Sequence, residues 1–571
     1  MSVIARRFVA LVAHVLSKAI EEFRKLSGRT QALVVFGFVL FALMGFSSSK
    51  PLSSTSSSSK LKASESNVLK LLTWNIAAIN NNPFEYWLTL KDEPMYDEMM
   101  NGVEKFVLEP IPRKDQLVSD VITQEMFDKL AEKMTSIGFQ NVDTVREMYT
   151  NDWSKRRAIT QFLRDPVIGK KRLVSMPDRV TNTITTTKGT FYRPTPINCY
   201  DGKRFTTLSS WYEIWLDFMF STVVNDKGQV PAQLLEKIPR AKYPALTEEE
   251  EDVSIPLQTL VIAIFDAIQV RMLNQVATAD VWQSLRDRIC LNLNRQKTSK
   301  TLGILTKSYA DATIMFLQEV AASFIQSAKD HLGKNYHVVA PAKLGSNDQN
   351  SLILLNKAYF DGSTIKEHTD EVLSILKQAK SPVAAGDLLV IEVRDKKDQK
   401  YFLASFHGDT NGLATIPVVK AVRHLYSNQR EDNERFIFGM DANTYERVKD
   451  KKEYQDVMDF VDYFTNEEHL TSCWVPQVNP KRHTTRNART YMQPQLSKAA
   501  SKAEVEEKGD ANPKDFILFE PDMYSVDLVA RDNTGTGGFL EGMVFPTLDF
   551  PSDHAIVRTV IREVANSAEN V

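Results

Sequence analysis

Phe436–Glu446, FIFGMDANTYE, reads as an apolar strand that ends near a glycine and then presents Asp441 and Asn443 two residues apart. Period-two projection sends both side chains to one side of the backbone as it leaves the strand. A carboxylate and an amide held this way can orient a water and bind a phosphate oxygen, as hydrolysis of a phosphoester requires. Gly, Asp and Asn also favour ordinary turns, so the stretch taken alone is equally a strand-to-turn junction.

Other stretches read outward from it in the same manner. TWNI (Thr73–Ile76) closes a buried strand on Asn75, and TIMFLQEV, ending at Val320, closes another on Glu319. SFHGDTNG (Ser405–Gly412) follows a third and delivers His407. KDFILF (Lys514–Phe519) sets Asp515 at the start of a strand, with Asp527 as the fallback for the same role, and PSDHAIV (Pro551–Val557) sets Asp553 beside His554 before an edge-like strand. SLILLN and DLLVIEV are further short β-runs, and Leu413–Tyr426 has helical spacing. The strand, helix, strand alternation is that of a layered α/β protein.

In this order the motifs resemble the endonuclease/exonuclease/phosphatase superfamily, the deoxyribonuclease I-like fold. The resemblance implies an α/β, four-layer αββα sandwich and a metal-dependent phosphoric ester hydrolase. It implies Asn75, Glu319 and Asp553 around a Mg²⁺ or Mn²⁺ ion, Asp441 and Asn443 aligning the nucleophile and holding phosphate, and His554, oriented by Asp515, as the base that activates water. His407 would stabilise the pentavalent state or protonate the leaving oxygen. The chain departs from the family after Glu319, where GSNDQNSLILL offers only Asp348, Gln349 and Asn350 in place of a glutamate that partners the second histidine.

A larger departure lies between Asn75 and Glu319, where some tens of residues are usual and residues 80–309 form an insertion the size of a domain. Much of it has helical spacing, notably Asp115–Ser136, Trp211–Val224 and Leu257–Leu293, the last with Asp266 and Arg271 on the polar side. LVIAIF (Leu260–Phe265) is too short and too soon charged to span a bilayer. A polar loop interleaves Lys188, Arg193, Lys203 and Arg204 with Phe191, Tyr192 and Tyr200, a pattern that suits either solvent or contacts to phosphates and bases. Glu248–Asp252 reads as a solvated acidic turn. Lys481, Arg482, Arg486 and Arg489 form a basic cluster read as a phosphate-holding rim or an exposed loop. The insertion is expected to be a removable cap beside the site.

The chain has 571 residues and a formal net charge of −2, so it lacks the global basic field of a nucleic-acid coat protein. A 43% hydrophobic and 25% charged composition is that of a globular protein. Its three cysteines read as small buried hydrophobes rather than a disulfide framework. Residues 1–29 suggest a basic amphipathic helix, 30–49 an uncharged transmembrane helix with a cleaved signal as competitor, and 50–67 a Ser-rich linker leading into a catalytic domain over 68–565. Six Lys/Arg precede that apolar segment, against Lys50, Lys60 and Lys62 after it. The charge bias puts the catalytic domain on the lumenal or extracytoplasmic side, although the chain carries no Asn-x-Ser/Thr site. The expected partners are a phosphate-ester substrate, either nucleic acid or a phospholipid head group or inositol phosphate, and a membrane. The competing reading is a catalytically quiet relative whose insertion binds a protein.

Overall fold

The computed structural model describes residues 68–111 and 115–564. The amphipathic segment, the apolar segment and the linker expected over residues 1–67 lie outside the described residues.

Fourteen described strands run in chain order as β1 (Val68–Asn75), β2 (Thr183–Thr186), β3 (Gly189–Tyr192), β4 (Ile314–Val320), β5 (Tyr336–Val339), β6 (Asn350–Asn356), β7 (Phe360–Glu367), β8 (Leu388–Asp395), β9 (Lys400–His407), β10 (Arg435–Asp441), β11 (Thr471–Ser472), β12 (Asp515–Phe519), β13 (Tyr524–Asp532) and β14 (Ile556–Glu563). Twelve of them make two six-stranded sheets, ordered β13-β14-β1-β4-β6-β5 and β11-β12-β10-β9-β8-β7. The remaining pair, β2 and β3, is a hairpin within the insertion. The strand expected at an edge after His554 is an interior one, because β13 pairs along β14 and covers it.

Alternation along β1 explains the layering. Leu69 and Leu71 join the core shared with the second sheet, whereas Leu72 and Trp74 join a separate core on the opposite face. Helices Lys297–Ser308 and Ala322–Leu332 supply Leu302, Leu305, Phe324 and Ala328 to that outer core. Helices Thr369–Gln378 and Thr415–Gln429 cover the second sheet through Val372, Leu376, Val418 and Val422. The result is the αββα order of layers that the motif resemblance implied. Helix Lys297–Ser308 thus belongs to the sandwich, and the insertion proper ends before Lys297 rather than at 309.

Gly439 shows what the facing sheets demand. A Cβ built there would lie 2.3 Å from Cγ of Phe316, so the glycine in FIFGMD is a site of close approach between β10 and β4. Asp441, two residues on, leaves the strand on the same side.

The insertion is a helical body around helix Ser254–Val276. Among the described residues this is the one helix long and apolar enough to cross a membrane, and 89% of its apolar window is buried within the protein. Asp266, expected on its polar side, is wholly buried. It accepts hydrogen bonds from Arg193 Nε (2.7 Å), Thr195 Oγ1 (2.8 Å) and Trp215 Nε1 (2.9 Å). Arg193 is therefore a core residue and not part of a nucleic-acid-binding loop. A buried charge is tolerated only when paired in this way. The acidic turn is a short helix, Glu248–Asp252, whose Glu250 is buried against Lys171 (2.5 Å). Asp115 does not begin a helix: its carboxylate accepts from Ile159 N (2.8 Å) and Thr160 Oγ1 (2.6 Å), and the helix begins at Gln124 with Thr123 as its cap.

Two expectations about the insertion are corrected. Its core includes Ala488, Tyr491, Met492, Ala500, Val505 and Val544 from the catalytic half, so it shares a core with that half and is not a removable cap. Cys199 and Cys290 form a disulfide across 91 residues, with Cα atoms 5.4 Å apart, and only Cys473 is a free buried thiol. The bridge joins the segment after the β2–β3 hairpin to the end of helix Ala279–Cys290, a proximity that exists only once the insertion has folded.

Gly439→Ala is expected to destabilise the protein by about 1–3 kcal/mol, because Phe316 or the β10 backbone must shift to admit a methyl group. Urea denaturation of the two proteins measures this, and an unchanged midpoint would show that the sheets are not in contact there.

Candidate active site

The two sheets bring their functional ends together through register. β1 runs parallel to β4 with Asn75 opposite Gln318, so Asn75 and Glu319 finish at one end. β9 runs parallel to β10 with His407 opposite Asp441, and antiparallel β12 sets Asp515 opposite Asp441. Asn75 then bridges the sheets: its amide nitrogen donates to Asp441 Oδ2 (2.8 Å) and to Glu319 Oε1 (3.1 Å).

Glu319 reaches the cleft only because β4 breaks its alternation. Strict period two would turn it outward with Met315 and Leu317, which lie in the outer core. The pairing with β6 slips between Leu317 and Val320, and Glu319 adopts φ of +56°, which turns its carboxylate inward. There it accepts from Ala78 N (2.7 Å) and Gln349 Nε2 (3.3 Å). Strained backbone of this kind costs about 1–3 kcal/mol and is held by its surroundings.

His554 is held at its ring and at its backbone. Its Nδ1 lies 3.0 Å from Asp515 Oδ2, which also accepts from Thr484 Oγ1 at 2.5 Å. Its backbone N–H donates to Ser552 Oγ (3.0 Å), and that hydroxyl donates to the carbonyl of Asn75 (2.6 Å). With Nδ1 committed to Asp515, Nε2 faces the cleft, 3.7 Å from Asp441 Oδ2. Asp527, the fallback, is an exposed partner of Arg562 (2.7 Å) on β13 and has no place in the cleft.

Burial works against charge on His554, but Asp515 and Asp441 outweigh it and hold the ring's pKa well above the ordinary histidine value. Burial likewise opposes charge on His407, whose Nε2 lies 3.3 Å from Glu319 Oε1, and that carboxylate raises its pKa to about 9. Glu319 shows the reciprocal effect: burial would raise its pKa, yet the bond from His407 holds it well below the usual carboxylate range. His407 also feels Asp441 and Asp387. Asp387, a residue the sequence reading missed and one outside the GSNDQNSLILL stretch, acts on His407 through its charge. Gln349 bonds Glu319, and Asn350 is buried beneath the Gly345 turn with its oxygen accepting from Gly345 N (2.8 Å).

Asp553 reaches the same cleft, and Asn487 Nδ2 lies 3.4 Å from its Oδ2. Burial raises its carboxyl pKa, opposed by His554 and reinforced by Glu319. An excess of buried carboxylates suits a hard divalent cation. Glu319, Asp441 and Asp553 line the cleft and carry oxygens of the kind such an ion takes. Among the described residues, the ligand atoms that lie within 4.8 Å of one another are those of Asp441, Asp515 and His554, and Asp515 is already engaged by His554 and Thr484. Asn75 sits among these carboxylates: its oxygen accepts from Ala77 N (2.8 Å), and its nitrogen, donating to Glu319 and Asp441, orients them.

Asn443 lines the cleft as expected, and its Nδ2 donates to the Gly408 carbonyl (2.8 Å) while its Oδ1 accepts from Lys514 Nζ (2.9 Å). Lys514 lines the cleft beside it, is also bonded to Asp510 (2.9 Å) and was missed in the sequence although it directly precedes Asp515. Of the basic cluster, Arg489 lines the cleft, paired with Glu85 (3.2 Å), while Arg486 pairs with Glu506 and Arg482 lies over Trp474. The cleft has a volume of about 480 Å³.

A family described as a domain of unknown function (DUF8234) matches residues 115–287, within the insertion. No curated protein matches the chain. Among solved structures, D. rerio TDP2 complexed with a single-strand DNA product is 14% identical over 47% of this chain and 92% of its own, with a TM-score of 0.32. The human Nocturnin catalytic domain with a bound sulfate anion is 12% identical over 47% and 87%, with a TM-score of 0.32. ANGEL2, described as a 2′,3′-cyclic phosphatase, is 13% identical over 46% and 85%, again at 0.32.

A raised histidine pKa stabilises the folded state fully below the unfolded value of about 6.5 and ceases to do so above the folded one. In chelator, the His407–Glu319 pair should therefore lose its contribution as pH rises from about 6.5 through about 9. Urea midpoints across that range should fall less steeply in His407→Ala than in the parent, and equal slopes would refute the pairing.

Proposed function

We propose that this chain is a membrane-anchored, Mg²⁺-dependent phosphoesterase that hydrolyses a phosphodiester or phosphomonoester. The observation that carries the reading is the buried Asp515–His554 pair, aimed beside Asp441 into the cleft that also holds Glu319 and Asp553. A bound divalent ion would neutralise phosphoryl oxygens, with Glu319, Asp441 and Asp553 to hold it. Asp515 fixes the tautomer of the neutral His554 ring that acts as base, and it stabilises that ring once it has taken a proton from the attacking water. Lys514, held by Asn443 and Asp510, offers its ammonium to a phosphoryl oxygen. His407, charged beside Glu319, is a proton source for the departing oxygen. Nucleic acid, phospholipid head groups and inositol phosphates all satisfy this chemistry.

Turnover of bis(p-nitrophenyl) phosphate, single-stranded DNA, RNA, sphingomyelin and phosphoinositides should be measured with and without Mg²⁺ or Mn²⁺. Glu319→Gln and His554→Ala should each cost about 10²–10⁴-fold, and His554→Ala more than His407→Ala. A folded protein without turnover on any of these would favour the quiet, partner-binding reading.

We place the catalytic domain on the lumenal or extracytoplasmic side, anchored through residues 30–49. The charge bias around that segment supports this, and so does the Cys199–Cys290 bridge, since disulfides persist in oxidising compartments. On sealed microsomes the domain should resist protease until detergent is added, and digestion without detergent would put it on the cytoplasmic face.

A further inference from the structure

The cleft has a cation that the motifs do not account for. Lys297 opens helix Lys297–Ser308, at the junction of the insertion and the sandwich, and its side chain lines the cavity that holds Glu319, Asp553 and His554. It is 6% exposed. Its one hydrogen bond among the described residues runs from Nζ to the carbonyl of Ala78 (3.0 Å), and no described carboxylate pairs with it. An ammonium has three protons to place, so two lack a protein acceptor. The other cations of the cleft are already paired with carboxylates, Lys514 with Asp510 and Arg489 with Glu85. Burial lowers the Lys297 pKa to about 8, with the more distant charges of Asp553 and Glu319 opposing the fall. Leaving a buried ammonium short of partners costs free energy that an incoming anion would recover.

The surroundings of Lys297 indicate what the anion is attached to. Ile289, Leu293 and the Cys199–Cys290 bridge come from the insertion, and with Ile79 they make an apolar wall of the same cavity. The carboxylates and His554 line the same cavity.

We propose that Lys297 is a substrate-recognition residue, whose ammonium binds an anionic phosphate oxygen of the ester while the apolar wall beside it receives the ester's carbon-rich portion. This rests on the phosphoesterase reading of the cleft. The oxygen belongs either to the scissile phosphate or to a neighbouring one, and the same charge recognises both.

The test uses the full-length chain in detergent with Mg²⁺ present, titrated with inorganic phosphate and with pyrophosphate by calorimetry. Lys297→Met should weaken binding by about tenfold or more, the loss of one charge-assisted hydrogen bond, while Lys297→Arg retains most of it. Weakening of both ligands assigns the contact to the scissile phosphate, and weakening of pyrophosphate alone assigns it to a neighbouring one. Hydrolysis of bis(p-nitrophenyl) phosphate separates recognition from a role in bracing Ala78 and, through it, Glu319. Recognition raises KM more than it lowers kcat, and bracing lowers kcat with KM unmoved. If Lys297→Met does not fold, Lys297→Gln is read in the same assays. Wild-type affinity for both anions in the Met or Gln variant overturns the proposal and leaves the phosphoesterase reading standing. A wild-type protein that neither binds phosphate nor turns over any ester defeats that reading itself.

Discussion

The Asn75 amide is the joint on which the site depends. One nitrogen donates to a carboxylate on each sheet, Asp441 of β10 and Glu319 of β4, while its oxygen is held by the backbone of Ala77. Two buried carboxylates would repel each other without a donor between them. The carbonyl of Asn75 accepts from Ser552, whose hydroxyl in turn receives the His554 N–H, so one residue ties both carboxylates to the segment that carries the histidine. These groups converge only if the sheets stay in register, which is the requirement that Gly439 and Phe316 meet by close contact.

A second buried contact keeps that register. Gln318, beside Glu319, points between the sheets and donates to Ser405 Oγ (3.1 Å) on β9, two residues before His407. Gln318 and Glu319 therefore act in opposite senses on adjacent residues. The first follows the strand's alternation and pins one sheet to the other, and the second breaks it to place a carboxylate in the cleft.

The insertion departs from an added module in two respects. Its core takes in Ala488, Tyr491 and Met492 from the loop that also carries Asn487 and Arg489 into the cleft. Its bridge, Cys199–Cys290, forms part of the cavity wall. The cleft is thus lined both by the sandwich and by the insertion that shares a core with it, and the apolar residues the insertion supplies differ in chemistry from the carboxylates and histidines the strands supply.

By itself the sequence determined the strands that carry the site, their order and the identity of most of the chemical groups, because an apolar run closing on Asn, Glu, His or Asp is a local signal. TWNI, LQEV, FHGD, GMDAN, KDF and SDH could each be read where they stand. Tertiary structure alone decided what each group does. Asn75 and Asn443 gained partners on other strands and loops, Arg193 and Asp266 became a core ion pair, and β14 took an interior place through a partner strand some thirty residues earlier. Lys514, Asp387 and Lys297 carry no local pattern that separates them from surface residues. Cys199 and Cys290 lie 91 residues apart, and nothing in either flank announces the other. The physical reason is that a residue's type and periodicity are properties of its own segment, whereas its hydrogen-bond partners and its burial are set by segments that meet it only in the folded protein.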